Sequence, residues 1–241
     1  MSDVTTQALV VVLAAAVLGA FVQSVVGIGL GLIAAPAMTL VAPDLMPGAM
    51  LLVVVVLPLI TLAREHDDID WRGLGWTMPA RVVGTVVGVW LVSAVDERGL
   101  GLLVGVMVLA AVLLTWRAVV VPITRGTLLG AGFIGGITGT TSSIGGPPLA
   151  ILYQRRPPRQ IRTTLAVFFL LGSLISLTGL AIGGELTRAQ WHVALLMIPA
   201  ILVGNLLSTL LKDRLSAAAI RPLVLLVCGA SALALIVRSL G

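Results

Sequence analysis

The sequence predicts an all-α polytopic membrane protein of two inverted repeats, each a re-entrant broken-helix hairpin followed by three transmembrane helices. Three features predict this. The composition is too poor in charge to cover a surface facing water, the apolar runs have the length of membrane spans, and a segment broken by glycine and proline occurs twice. Of 241 residues, 59% are hydrophobic and 10% charged, and the mean hydropathy is +1.14. A soluble domain of this size needs far more charge, so lipid must be the solvent for most of the surface. The runs are continuous and lack a two-residue alternation, which favours helices over a barrel.

Taken in order, the first element is a hairpin over 4–42, uncharged for about twice the ~20 residues of one span. Spans follow over 46–63, 76–95 and 100–120. A second hairpin over 126–152 is uncharged but interrupted by Gly, Thr, Ser and Pro, and spans over 163–182, 191–211 and 217–237 complete the chain. The two repeats are therefore 1–121 and 122–241. No length remains for a soluble domain.

The net charge of +5 and isoelectric point near 11.0 do not mark a nucleic-acid binder. The basic residues sit in short loops between apolar runs, where they report topology. With both hairpins re-entrant, Arg64, Arg72, Arg117, Arg125, the group from Arg155 to Arg162, Lys212, Arg214 and Arg221 share the cytoplasmic face. Arg98, Arg188 and Arg238 face outside, as do both termini. Making 126–152 a full span instead moves Arg64, Arg72, Arg117 and Arg125 outside, against the positive-inside rule. The location this implies is the cell inner membrane. A cleaved signal peptide is not expected, because the first basic residue is Arg64. The single cysteine, Cys228, excludes disulfides and a cysteine metal cluster, and His66 reads as part of a solvated acidic loop. No metal or other cofactor is expected.

The repeat is visible in the residues. Gly19-Ala20 aligns with Gly130-Ala131, Ala34-Ala35-Pro36 with Gly145-Gly146-Pro147, and Met38 with Leu149, all at one offset. Met78-Pro79-Ala80 with Gly84 and Gly88 aligns with Ile198-Pro199-Ala200, Gly204 and Ser208. A hairpin plus three spans crosses the bilayer an odd number of times, so the halves have opposite orientation. Inverted repeats with paired broken segments place a transport site where the breaks meet.

The first break contains Gln23, Ser24, Gly27, Gly29 and Gly31; the second contains Thr140, Thr141, Ser142, Ser143, Gly145 and Gly146 before Pro147-Pro148. Glycine permits sharp turns and exposes amide N–H groups, and proline opens a helix without losing a hydrogen bond. Each returning half-helix then presents free N–H groups and the positive end of its dipole, a setting suited to an anion. The four hydroxyls add donors. Glycines at 84, 88, 101 and 105 read instead as close-packing positions. Every Asp and Glu falls in a loop or at a span end, whereas a cation carrier or proton relay keeps an acid in the membrane. An anion, or a neutral polar solute, is the expected cargo. Arg81 lies a short way into its span, where snorkelling is the plain reading and an anion gate or funnel the sharper one. Asn205, deep in its span, either lines the pathway or bonds a neighbouring helix.

The Gly-rich segment leading to Pro36, its counterpart before Pro147-Pro148, and the two Pro-x4-Gly spans resemble the sulfite exporter TauE/SafE family of anion permeases over nearly the whole chain. Leu30 and Leu32 flank Gly31 where the family cluster is richer in glycine. The resemblance implies export of sulfite, sulfoacetate or another sulfur oxyanion. The expected partners are thus a small anionic substrate and the lipid bilayer, with a homodimer left open. An anion channel or facilitator, and a permease for another small polar solute, remain alternatives. An intramembrane enzyme needs a nucleophile and base within reach of each other, and no span carries a His or carboxylate near its centre.

Overall fold

Helix ends here follow local chemistry more than the limits of the apolar runs. The expected second span begins at Trp76, but the helix starts at Trp71 because Asp70 Oδ1 accepts the Gly73 N–H at 2.8 Å. That cap satisfies a first-turn amide which would otherwise lack a partner. The structure is a computed structural model and describes residues 5–26, 29–116, 121–211 and 217–240. Among these, regular structure is entirely helical: α1 (Thr6–Val26), α2 (Leu30–Val41), a 3-10 turn (Pro43–Leu45), α3 (Gly48–Val54), α4 (Val56–Arg64), α5 (Trp71–Ala94) and α6 (Glu97–Trp116). Then come α7 (Arg125–Ser142), α8 (Pro147–Tyr153), α9 (Pro158–Ile182), α10 (Arg188–Leu211) and α11 (Ala217–Leu240).

Six helices are long and apolar enough to cross a membrane: α1, α5, α6, α9, α10 and α11. Leu195, Leu196, Leu202, Val203, Leu206 and Leu210 make one outward stripe on α10, which in water would be an aggregation surface and in lipid is the solvated face. The run expected as a single span over 46–63 is instead two helices, α3 and α4, meeting at Val55. The returning helices α2 and α8 have 12 and 7 residues, about 18 and 10 Å at the rise of an α-helix, too short to cross a bilayer.

Glycine lets the crossing helices approach to backbone contact. A Cβ at Gly84 of α5 would land on the Phe133 carbonyl oxygen of α7, and one at Gly132 or Gly136 on the carbonyls of Thr77 or Arg81. Ascending positions of α5 meet ascending positions of α7, so these helices run parallel. α1 and α10 pack likewise, Gly204 lying on the Val17 carbonyl, and α6 meets α11 where Gly105 faces Ile236. Packing in lipid has no hydrophobic drive, so such close van der Waals contact holds the bundle together.

Two apolar cores result. One is built from α1, α2, α3, α6, α10 and α11, the other from α5, α7, α8 and α9, and Phe169 packs against both.

Polar contacts identify the two ends of the bundle. At one end Tyr153 Oη donates to Asp70 Oδ2 at 2.7 Å, Arg162 forms a two-pronged pair with Glu65, and the Arg125 guanidinium covers the Trp76 ring at 5.0 Å. At the other end Gln190 Nε2 donates to the Asp44 carbonyl at 3.2 Å, and Arg238 Nη1 donates to the Leu40 carbonyl. The start of α7 and the last residue of α8 thus both contact the beginning of α5. α2 finishes at the opposite end.

The α5–α7 contact makes a direct prediction. Gly84→Ala should lower the thermal midpoint of the detergent-solubilised protein, at a cost of about 1–3 kcal/mol for overpacking. Gly75→Ala should leave it unchanged or raise it, because nothing lies within 4 Å of a Cβ there and alanine is the better helix former. Static light scattering or fluorescence-detected melting reads the difference.

Candidate functional site: two helix breaks meeting between the cores

α1 ends at Val26 and α2 starts at Leu30, with Gly29 at the cap position. The first amide of α2 has no partner within its own helix. Gln23 supplies one: its Oε1 accepts the Leu30 N–H at 3.0 Å. α7 ends differently. Ser143 takes the left-handed conformation (φ 60°) and its N–H bonds the Gly139 carbonyl at 3.0 Å, an αL helix stop that usually uses glycine. The chain then passes Ile144 to Gly146 and re-enters a helix at Pro147-Pro148, whose missing N–H groups cost nothing in a first turn.

The two breaks touch. A Cβ on Gly31 would stand 2.8 Å from the Ser143 carbonyl oxygen and 3.1 Å from Ile144 Cγ1. Between them lies a pocket of about 20 Å³ walled by Gly29, Gly31, Ser143, Ile144, Gly146 and Phe169, room for about one water. Ser143 Oγ is buried there and has no hydrogen-bond partner. Beside it a cleft of about 470 Å³ runs from Arg64, Glu65 and Arg162 down to Gln23, Ser24 and Asn205. Gln23 and Phe169 line both spaces, so these two side chains stand between cleft and pocket.

The sequence-predicted residues divide accordingly. Gln23, Ser24 and Asn205 reach the cleft; Gln23, Gly29, Gly31, Ser143 and Gly146 reach the pocket. Asn205 both lines the cleft and bonds a neighbouring helix, Oδ1 accepting from Ser24 Oγ at 3.1 Å. Gly27 lies outside the described residues. Thr140, Thr141 and Ser142 line neither space. Each hydroxyl donates to the carbonyl four residues back, at 2.8, 2.9 and 2.7 Å, and Thr140 also meets Ser176 Oγ. Inside an α-helix that back-bond is the nearest available partner, and it turns the hydroxyl away from any ligand.

Gly145 backs onto Arg81, with a Cβ there 2.9 Å from Nη1. Arg81 does not snorkel. It is 1% exposed, stacked 4.2 Å over the Phe168 ring, because Gly135, Gly139, Gly145 and Gly172 leave its guanidinium room inside the bundle.

Phe169, which lines both spaces, is a residue that the sequence did not single out. A phenylalanine in an apolar run carries no local signal, and only the fold places its ring against Gly146. Among the described residues no group of three or more His, Cys, Asp or Glu side chains is placed to hold a metal ion.

The family model for "Sulfite exporter TauE/SafE" matches residues 11–235. The chain belongs to the sulfite exporter TauE/SafE family. It is accordingly a multi-pass membrane transporter and not an enzyme. Two curated relatives of this TauE/SafE chain carry descriptive names. It is similar to the "Probable sulfite/organosulfonate exporter TauE" of Cupriavidus necator, 29% identical over 206 residues and 78% of each chain. It is also similar to the "Probable inner membrane transporter protein TsaS" of Comamonas testosteroni, 26% identical over 154 residues, 58% of this chain and 63% of the relative. No solved structure matches the chain.

The Gln23 cap is open to test. Gln23→Leu keeps the bulk of the side chain and removes the acceptor, leaving the Leu30 N–H buried and unpaired. A loss of about 1–3 kcal/mol is expected, read as a lower thermal midpoint in detergent.

Proposed function

We propose that this TauE/SafE transporter exports sulfite or a related small sulfur-containing oxyanion or organosulfonate across the inner membrane. In this reading the anion is held where the two helix breaks meet, in a pocket that has room for about one water and must widen to admit it. The observation that carries it is Ser143 Oγ, a buried hydroxyl without a partner in a pocket built from both breaks. The pocket also takes in Gly31 and Leu32 of the first turn of α2, where helix geometry leaves N–H groups unpaired and the dipole is positive. No Asp or Glu lines it. Such a setting favours an oxyanion over a cation. The names of both relatives agree with export or inner-membrane transport.

The inverted repeat is part of the same proposal. The pairing of α1 with α10 corresponds to that of α7 with α5, and α6 pairs with its own counterpart α11. α8 returns to the end bearing Arg125 and Asp70, while α2 finishes at the end bearing Gln190 and Arg238. This pattern supports hairpins entering from opposite faces. The cleft opens at the end bearing Arg64, Arg155, Arg156, Arg159 and Arg162, the cytoplasmic face by the positive-inside rule. It is therefore an inward-facing entrance, with Gln23 and Phe169 between it and the pocket. Rocking of one repeat against the other would expose the pocket to the outside.

Labelled-sulfite flux in proteoliposomes tests this reading. The parent should transport sulfite saturably. Ser143→Gly keeps the left-handed turn and deletes the hydroxyl. It should raise KM roughly ten- to a hundredfold, as about 1.5–3 kcal/mol for a hydrogen bond to a charged group implies. Unchanged KM in that variant would falsify the pocket. For topology, with Cys228→Ala as background, Arg155→Cys and Arg125→Cys should react with an impermeant thiol reagent from one face, and Glu185→Cys from the other. Labelling of Arg155→Cys and Arg125→Cys from opposite faces would remove the second hairpin.

A further inference from the structure

Within the α5–α7–α9 corner the protein carries a cost that packing does not explain. Arg81 sits about ten residues into α5, is 1% exposed, and has no ion pair among the described residues. Its Nε and Nη1 have no hydrogen-bond partner. A buried unpaired charge is among the least favourable groups a fold can hold, and more so in a membrane. The Phe168 face offsets part of this through the ring quadrupole, but supplies no acceptor for an N–H.

A purely structural role is the weaker explanation. In the repeat register that pairs Pro79 with Pro199, Arg81 corresponds to Ile201, which is fully buried in the other core. An apolar side chain fills that position in one half, so the shape of the bundle does not demand a guanidinium in the other. Buried charges without such a demand are commonly replaced by apolar residues at no loss of stability.

The surroundings say what the charge is for. The guanidinium is enclosed by Gly135, Gly139, Gly145, Gly172 and Phe168, and two of these, Gly145 and Phe168, are the chain neighbours of Gly146 and Phe169, which wall the pocket between the breaks. The other buried side-chain atoms without partners among the described residues are Thr85 Oγ1, one turn along α5, and Ser143 Oγ in the pocket itself. Unpaired donors and an uncompensated positive charge therefore gather at this corner, and no carboxylate does.

We propose that Arg81 is the charged pole of the oxyanion pocket: its uncompensated guanidinium, one residue behind the pocket wall, takes the transported anion as its counter-ion. This rests on the reading of the pocket as an anion site and adds to it a fixed full charge behind the helix ends. Across a low-dielectric wall a full charge acts over several ångströms with little screening. It therefore sets selectivity for anions over neutral solutes without direct contact. Should the wall at Gly145-Gly146 shift during transport, the planar fork matches two oxygens of a sulfur oxyanion. Arg81 is thus a positioning and selectivity residue.

The test compares the parent with Arg81→Met and Arg81→Lys in sulfite counterflow, with thermal midpoints measured with and without sulfite. Arg81→Met should fold, with an anion-free midpoint equal to or above the parent's. Its sulfite KM should rise at least tenfold, and the sulfite-induced rise in midpoint should vanish. Arg81→Lys should recover most of the affinity. A lowered midpoint with parental KM would mean a structural role and overturn the proposal, as would parental KM with parental stability. If neither variant folds, the parent decides: its midpoint should rise with sulfite and not with neutral dimethyl sulfone, and equal rises would refute the charged pole. A normal Arg81→Met beside an impaired Ser143→Gly sinks this inference alone. A parent that moves no oxyanion sinks the pocket itself.

Discussion

Two helices interrupted inside a bilayer are tolerable only if each covers the other's broken end. Lipid offers no hydrogen bonds, so every backbone group freed by a break must find protein, or a polar cavity lined by protein. Here the contact of Gly31 with the Ser143 carbonyl closes one break against the other, and the Gln23 side chain covers the first amide of α2. Both are short-range contacts. They demand that α1–α2 and α7–α8 be held at a fixed separation, and the rest of the bundle does this. The glycine seams of α5 with α7 and of α1 with α10 fix the first helix of each broken pair against a long helix at backbone distance.

The same constraint accounts for how the hydroxyls divide. Thr140, Thr141 and Ser142 lie in the last turns of α7, where each has a carbonyl four residues back to bond. Ser143 lies one residue further, in the left-handed turn, where the helix no longer offers that carbonyl to its side chain. Its hydroxyl alone is left for something else. A run of four similar residues is thus split by a single conformational step, three members serving the helix and one facing the pocket.

The ionic contacts contribute differently by location. Arg159 with Asp67 and Arg162 with Glu65 join the α4–α5 connection to the start of α9, but they are largely exposed, and such pairs add little stability. The second pair also lines the cleft, so its mouth carries mixed charge. Arg81 is the opposite case: one charge, enclosed, unpaired, and next to the pocket. Two cores meet at Phe169, with the wide cleft on one side of it and the small pocket between the breaks on the other.

Much of the chain could be read without coordinates. Composition and run length declare a helical membrane protein because lipid admits few solutions, and the absence of intramembrane acids follows from counting. The Gly/Pro breaks were visible too, since few residues permit a chain to reverse inside a helix. Lengths were less accessible. α5 extends to Trp71 because of a cap at Asp70, and the run at 46–63 divides at Val55, features that hydropathy does not register. The least legible residues were those whose role depends on what faces them. Arg81 reads as a surface-seeking side chain until four glycines from α7, its break and α9 are seen to enclose it, and Phe169 is one apolar residue among many until it stands between cleft and pocket. Sequence by itself determined the solvent, the helices and the positions of the breaks, because these depend on local chemistry. Only the tertiary structure decided that the breaks meet, which hydroxyl is free and where the buried charge points, because these depend on contacts between residues distant in the chain.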